Sequence, residues 1–196
     1  MKIKRIIAYF IDFMIVTMIS STIFTLPIFK ENYNEHNSLY EEYSEVLIEQ
    51  MNSGSAEVND ELLNSITYDI MKASTPSLII RISTLILYFG IFAYFLKGQT
   101  IGKKIFKIKV TNLEGELPSP GLFVLRSVII TNAIPEIISL FILILGSKNL
   151  YLATYNYTSY ITMIIYFVII GFIIFRDDER GLHDVICKTK VIENKE

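Results

Sequence analysis

Residues 6–29 read IIAYFIDFMIVTMISSTIFTLPIF, and Asp12 is the only charged residue among them. About 20 helical residues, each rising 1.5 Å, cross the hydrocarbon core of a bilayer. The stretch therefore predicts a transmembrane helix, TM1. Basic residues precede it, as they do in a secretory signal, but its length, its aspartate and the lack of a small-x-small cleavage site before Pro27 favour a retained anchor.

Three further apolar stretches follow in the chain of 196 residues, at 77–96, 121–145 and 157–175. They are too long for core strands, and they lack the alternation of a half-buried strand. Apolar residues make up 52% of the chain and charged residues only 19%, which excludes a disordered chain. We predict an all-α membrane protein with four transmembrane helices, TM1 to TM4.

Lysine and arginine are unevenly distributed between the predicted spans. Three of the first five residues are basic, and the loop 97–120 and the tail 176–196 have five basic residues each. The segment 30–75 has two lysines and ten carboxylates. By the positive-inside rule, we expect both termini and the loop to be cytoplasmic and the acidic segment to be extracytoplasmic.

The acidic segment 30–75 has its own helical pattern. Apolar residues recur at helical spacing in two groups, Tyr40, Tyr43, Leu47 and Met51, then Leu62, Ile66 and Ile70. Residues 52–55 interrupt the pattern, and Asn59 or Asp60 is placed to cap the second group. We expect a helical hairpin, with a mobile acidic loop as the alternative. Such an insert would bind a partner or collect cations, or serve only as a solvated connector.

Apolar and polar residues alternate at 105–110 and again at 188–192, which is typical of short strands. We expect these two stretches to pair as a small cytoplasmic sheet. Lysines at that membrane face would attract anionic lipid headgroups by about 1 kcal/mol each. The whole chain, 1–196, is then a single membrane domain.

Enzyme motifs are absent or incomplete. Residues 98–103 read GQTIGK, one residue short of a phosphate loop, and Lys104 stands where a magnesium-binding Ser or Thr would be. His183 and Asp184 are adjacent, but the other histidine, His36, is expected on the opposite side of the membrane. We therefore expect no enzymatic activity, no metal or other cofactor, and no nucleic-acid partner.

Four ionisable residues lie inside the predicted spans: Asp12, Arg81, Arg126 and Glu136. Each would cost about 2.5–3.5 kcal/mol at the centre of a helix, so each should pair or face water. By their predicted depths, Asp12 and Arg126 share the cytoplasmic leaflet, and Arg81 and Glu136 share the outer half. We therefore predict two pairs of opposite charge.

The two carboxylates have polar neighbours on their own helices. Arg5 lies two turns before Asp12, and Ala8 between them leaves room for a neighbouring helix. Asn132 lies four residues before Glu136, and a proline between them frees a backbone carbonyl. Carbonyl, amide and carboxylate oxygens suit a hard cation. One interpretation is a proton or cation path, and the other is pairs that only orient the helices.

Three motifs occur in order along the chain. The first helix contains Arg-x-x-Ala-x-x-x-Asp, the loop contains G-Q-T-x-G-K, and the tail contains R-G-L-H-D followed five residues later by a threonine. Their residues are Arg5, Ala8, Asp12, Gly98, Gln99, Thr100, Gly102, Lys103, Arg180, Gly181, Leu182, His183, Asp184 and Thr189. Together they resemble the RDD family of small bacterial membrane proteins. In that resemblance, Arg126 corresponds to an arginine near the start of the third helix, and Asp184 to the second family aspartate.

The resemblance implies a multi-pass protein of the bacterial cytoplasmic membrane, with transport proposed for the family and sodium/proton antiport for some members. Our first hypothesis is a proton-linked monovalent cation transporter in which Asp12 binds the ion or proton, with Arg5 and Arg126 as tuning partners. The alternative is a non-transporting accessory protein in stress response or immunity, which binds an envelope partner through segment 30–75. A third hypothesis is lipid handling by the cytoplasmic lysines. A pore through only four helices would require a homo-oligomer.

Overall fold

The fold is described by a computed structural model for residues 1–53 and 60–194. The described chain is mostly helical and has one small sheet. The helices are α1 (Lys2–Phe24), α2 (Lys30–Ser53), α3 (Asp60–Ala73), α4 (Thr75–Phe95), α5 (Ile101–Ile105), α6 (Pro120–Ile130), α7 (Ala133–Leu145), α8 (Lys148–Phe175) and α9 (Leu182–Ile186). The strands are β1 (Ile108–Asn112) and β2 (Thr189–Glu193), and a short 3-10 turn (Pro27–Phe29) joins α1 to α2.

Several of these helices are long and apolar enough to cross a membrane. Within the described ranges, α1, α4 and α8 qualify singly, and α6 with α7 makes a fourth span if the bent pair crosses as one. Their outward faces are apolar, and on α8 the side chain of Phe167 is 67% exposed. Lipid accommodates so much exposed apolar surface, whereas water does not.

The predicted third span, 121–145, is wrong as a single helix. Its two halves, α6 and α7, meet at an angle of 77°. Asn132 at the break has a φ of 54°, in the left-handed region that asparagine tolerates better than most residues. Pro135 follows within the first turn of α7, where its ring also prevents the helix from continuing backwards into α6.

Two tyrosines satisfy the backbone carbonyls that the break leaves free. Because Pro135 has no N–H, the Thr131 carbonyl lacks its helical donor, and the Tyr166 hydroxyl of α8 donates to it at 3.2 Å. The Tyr9 hydroxyl of α1 donates to the Ile130 carbonyl, also at 3.2 Å. The break is therefore held by the two helices on either side of it, as an irregular backbone inside a membrane requires.

The other predicted span boundaries move by several residues. TM1, predicted over 6–29, ends as a helix at Phe24, since Leu26 is extended with a ψ of 150°, as steric contact with the following proline favours. TM4, predicted over 157–175, begins earlier, at Lys148, after the Ser147 hydroxyl caps its first turn.

Helix α4 contains a π-helical segment, Leu87–Phe92, a local irregularity that is frequent at functional sites. Gly90 in this segment allows α6 to approach closely, because a Cβ there would lie 3.2 Å from the Cα of Val124. The segment also turns Tyr88 towards α1, where its hydroxyl binds Asp12.

Two apolar clusters join the elements. One packs α1 against α4 through Val16, Leu85, Tyr88 and Phe89. The other packs α1, α4 and α6 against the sheet through Ala8, Ala93, Ile108, Val110, Phe123 and Val191. The predicted strand pair is confirmed, although residues 105–107 precede the first strand and each strand ends later than predicted. The strands are antiparallel, with Val110 opposite Val191. One face of the sheet thus fixes both the loop and the tail against the end of the helix bundle.

The described part of the acidic segment is helical except for a turn at Ser74. Ile66 of α3 is buried, and the hydroxyl of Ser74 lies 2.8 Å from His36 Nδ1 of α2. Helix α2 continues through Ser53, and the rest of the predicted break at 52–55 and the cap at 59–60 lie outside the described residues and side chains. The extracytoplasmic position of these helices remains a prediction.

Candidate functional site

The carboxylate of Asp184 is fully buried and binds two arginines from different helices. Arg126 of α6 donates to Oδ1 from Nε at 3.0 Å and from Nη2 at 2.9 Å. Arg5 of α1 donates to Oδ2 through Nη2. Burial alone would raise the pKa of Asp184, but the charge of Arg126, with His183 and Arg5, holds that pKa well below its usual range. The site is therefore an ionised carboxylate between two guanidinium groups.

The closing motif of the tail forms a cradle around this carboxylate. The Gly181 N–H donates to Oδ2 and the Thr189 hydroxyl to Oδ1, each at 3.1 Å. Arg180 donates from Nε to the Thr189 carbonyl at 3.0 Å and from Nη2 to the Asp184 carbonyl at 3.1 Å. The motif thus folds α9 and β2 around one negative charge, which the two helix arginines then hold against the bundle.

The predicted Asp12–Arg126 pair is wrong, because the Arg126 guanidinium binds Asp184. Arg5, predicted as a partner of Asp12, also binds Asp184 and the Glu179 carbonyl. The tail folds back beneath the bundle, and its aspartate reaches both arginines. Pairing charges by depth within the spans cannot detect a counter-charge that comes from outside them.

Asp12 is fully buried and binds the loop that follows α4. Its Oδ1 accepts from the Tyr88 hydroxyl and from the Gly102 N–H, each at 2.7 Å, and its Oδ2 accepts from the Thr100 hydroxyl. Among the residues that the structure describes, no lysine or arginine lies within ion-pair distance of this carboxylate. One amide N–H and two hydroxyls therefore bind this carboxylate where a cation would otherwise lie.

Glycines of the loop motif allow this contact. A Cβ on Gly102 would lie 2.2 Å from the Ala8 carbonyl oxygen, so only glycine next to a small residue on α1 permits so close an approach. Gly98 has a φ of 88°, which glycine adopts without steric cost, and the turn it makes lies against Val110 of β1. Gln99 Nε2 donates to the Ile108 carbonyl at 3.1 Å. The loop motif therefore packs the short helix α5 against Asp12.

Lys103, the last residue of the loop motif, is buried without a partner. Its side chain is 7% exposed, and its Nζ has no hydrogen-bond partner among the described residues. The Phe89 ring lies below it, with 5.8 Å between Nζ and the ring centroid. Burial, together with the charge of Arg126, lowers the pKa of Lys103 to about 7.

His183 is a second buried group with unused polar atoms. It is 1% exposed, and neither ring nitrogen makes a hydrogen bond within the described chain, although Nε2 lies 3.4 Å from Asp184 Oδ2. Burial lowers the pKa of His183 to about 4. The ring is therefore neutral at physiological pH.

The burial of Lys103 makes stability depend on pH. Its pKa falls from 10.5 to about 7 on folding. Between these values the unfolded chain holds a proton that the folded protein lacks, so folding releases a proton and the free energy of unfolding rises with pH. Below pH 7 both states are protonated and this contribution is constant. We expect the melting temperature in detergent to rise from pH 7 to pH 9, and the Lys103→Met variant to lose this rise.

The matched control for this measurement is Lys104→Met, since Lys104 is the exposed neighbour of Lys103. Lys104→Met should keep the pH dependence of the parent protein. Equal slopes for the two methionine variants would contradict the assignment to Lys103.

The predicted Arg81–Glu136 pair is present. Arg81 Nη1 of α4 lies 2.9 Å from Glu136 Oε1 of α7, with side-chain exposures of 39% and 17%. Glu136 Oε2 is buried and has no hydrogen-bond partner among the described residues. Asn132 does not share a helix face with Glu136 as predicted. It lies at the break, and its Nδ2 donates to the Thr162 carbonyl of α8 at 2.9 Å.

Three tyrosines at these sites were not predicted from the sequence. Tyr88 binds Asp12, and Tyr9 and Tyr166 bind the free carbonyls at the α6–α7 break. A hydroxyl in the apolar part of a membrane helix has no water to bind and needs a protein acceptor. A tyrosine in the middle of an apolar span is therefore a usable signal for a buried acceptor nearby.

The sequence of this chain is similar to those of known proteins over a range that includes the Asp12 and Asp184 sites. The sequence model of the RDD family matches residues 3–188. A relative described as the uncharacterized protein YxaI of Bacillus subtilis (strain 168) is 31% identical over 121 residues, which is 61% of this chain and 60% of the relative. No solved structure matches the chain significantly. Since the family match covers nearly all of the chain, including the motifs gathered around Asp12 and Asp184, the protein belongs to the RDD family of membrane proteins.

Proposed function

We propose that this protein is a proton-linked transporter of monovalent cations in the bacterial cytoplasmic membrane, with both termini in the cytoplasm, and that exchange takes place at Glu136. It would act as a carrier and not as an enzyme. The observation that carries the proposal is the broken helix pair α6–α7 beside the Arg81–Glu136 pair. Secondary transporters place their ion sites at discontinuous membrane helices, where backbone groups and helix ends are free to coordinate the ion.

Glu136 combines a displaceable partner with an unused acceptor. Its Oε1 holds the half-exposed Arg81, whereas its Oε2 has no hydrogen-bond partner in the described part of the chain. A carboxylate paired with one mobile guanidinium can exchange that partner for a proton or a metal ion, because each of them neutralises the same charge. The site lies one turn from the break, so movement of α7 against α6 would alter its access to water.

The contacts of Asp12 favour a structural role for it. Its oxygens accept one amide N–H and two hydroxyls, whereas a hard cation needs further acceptor oxygens around it. Arg5 and Arg126 are both engaged with Asp184. We therefore propose that Asp12 and Asp184 hold the loop and the tail on the bundle, while Glu136 exchanges the ion.

The test is flux in reconstituted liposomes after a pH step, with Na⁺, K⁺ and Li⁺ compared and the internal pH followed by a dye. We expect Glu136→Gln to lower the gradient-driven flux by about tenfold or more, since the buried charge that binds the ion is lost. Glu42→Gln, at an exposed carboxylate of α2, should keep the flux of the parent protein.

Three outcomes would contradict the proposal or correct it. Absence of flux with all three cations in the parent protein would contradict transport. Undiminished flux in Glu136→Gln would remove Glu136 from the mechanism. Asp12→Asn should be less stable but keep its flux per folded molecule; loss of flux in folded Asp12→Asn, with Glu136→Gln still active, would move the site to Asp12.

The accessory-protein alternative also has an observation in its favour. Helix α2 exposes Tyr40, Ile48 and Met51 between its carboxylates, and Met51 is 81% exposed. Replacing these three by serine should leave flux unchanged if the protein is a transporter. A protein that acts only by binding an envelope partner would show no flux in either form, and the triple variant would lose its crosslinks to that partner.

A further inference from the structure

A cavity of about 130 Å³ lies between the bundle and the folded tail, and its lining has a basic end and an apolar end. The basic end consists of Arg5, Lys103, Arg126 and His183. The apolar end is lined by isoleucines of α6 and α8, including Ile130, Ile169 and Ile173. The space exceeds that of a single water molecule several times over.

When Lys103 is protonated, the basic end carries one positive charge more than the carboxylates around it can balance. Arg5 and Arg126 share Asp184, and the Asp12 carboxylate is occupied by the loop and Tyr88. Lys103 Nζ is left with no hydrogen-bond partner in the described chain. A buried ammonium group without a partner is costly, so the cavity presents a donor for one negative charge. The unbonded nitrogens of His183 lie at the same end.

The apolar end borders a groove on the outer surface of α8. Tyr166 and Ile170 line both the cavity and this groove, whose volume is about 360 Å³. Met163 and Phe167 form its exposed part. From Ile173 back to Met163, α8 rises roughly 15 Å, which is about the hydrocarbon thickness of one leaflet. The groove therefore runs from the level of the basic end towards the middle of the membrane.

We propose that the cavity binds the carboxylate of a long-chain fatty acid at Lys103, with the acyl chain in the α8 groove. A single negative charge balances the basic end, and a single apolar chain matches the α8 groove that borders the cavity. A carboxylate with its first methylenes carries one charge on one chain, whereas a glycerophosphate head carries two chains, for which the α8 groove offers a single run of lining residues. The binding site is separate from Glu136 and does not depend on ion exchange there.

The test is equilibrium binding of labelled palmitate to the full chain in an uncharged maltoside detergent. We expect saturable binding with one site per protein. Lys103→Met should weaken it by about tenfold or more, because the buried charge partner is removed. Lys104→Met, at the exposed neighbouring lysine, should change it by less than about twofold, as for a solvated charge. Hexadecanol, which has the same chain without the charge, should not compete.

A groove variant keeps the test decisive if Lys103→Met does not fold. Ile170→Trp fills the groove at a lipid-facing position without touching the basic end, and it should also weaken palmitate binding. Equal affinity in the parent protein and in the variants that fold, or competition by hexadecanol, would overturn the proposal. Competition by phosphatidylglycerol as effective as that by palmitate would overturn the assignment to a fatty acid.

Discussion

Asp184→Asn is expected to lower the free energy of unfolding by about 3–5 kcal/mol, because breaking a buried ion cluster leaves its remaining charges uncompensated. Arg5 and Arg126 would face each other across a neutral amide. Asparagine has the shape of aspartate, so the loss would arise from charge and not from packing. The NH2 group of the asparagine would also face a guanidinium group, and because both groups are hydrogen-bond donors, neither would find an acceptor there.

Unfolding of this variant can be followed through Cys187, the single cysteine of the chain, which is buried directly after α9. A thiol-reactive dye labels it only when the tail opens. Asp178→Asn is the control, since Asp178 is paired with Arg176 on the exposed surface of the same tail. The control should melt like the parent protein. Equal melting temperatures for the two variants would show that the buried cluster contributes no more than a surface pair.

Gly102→Ala is expected to cost about 3–5 kcal/mol, combining overpacking with loss of a hydrogen bond to a charged group. The added Cβ would lie 2.2 Å from the Ala8 carbonyl oxygen and 2.9 Å from Asp12 Oδ2. The first of these atoms is backbone, so no side-chain rotation relieves the contact. The loop must move off α1, and the Gly102 N–H that binds Asp12 moves with it.

The matched control is Gly121→Ala in the first turn of α6, where an added Cβ meets nothing within 4 Å. Alanine is favoured over glycine within helices by up to about 1 kcal/mol, so this variant should be as stable as the parent protein or more so. Thermal unfolding of both variants in the same detergent provides the comparison. A Gly102→Ala protein as stable as Gly121→Ala would mean that the loop does not need to lie so close to α1.

The elements that depend on local pattern could be predicted from the sequence. The strand pair follows from alternation at 105–110 and 188–192, and the helices of the acidic segment from their apolar spacing. The Arg81–Glu136 pair follows from depth alone, because both residues lie within long apolar helices. These features depend only on residues that are close in sequence or that lie at the same depth in the membrane.

The features that were missed depend on contacts between distant segments. A bend of 77° at Asn132 needs Tyr9 and Tyr166 to satisfy its carbonyls, and neither tyrosine is near the break in sequence. The partner of Arg126 is Asp184, which lies in the tail. The tail is rich in charged residues, so its sequence alone is typical of a solvated segment. The family motifs identified the residues that meet, but not which residue binds which.

The bond from Arg5 to Asp184 joins residues 179 positions apart. At a synthesis rate of about 5–20 residues per second, Arg5 emerges roughly 10–40 s before its partner exists. Once Arg126 has also emerged, and until Asp184 follows, the bundle holds two guanidinium groups without the carboxylate that will bind them, and lipid phosphates or water must screen them. Assembly of this cluster therefore waits until the tail has been synthesised, and a chain that loses its tail keeps an open, positively charged end by which proteases can remove it.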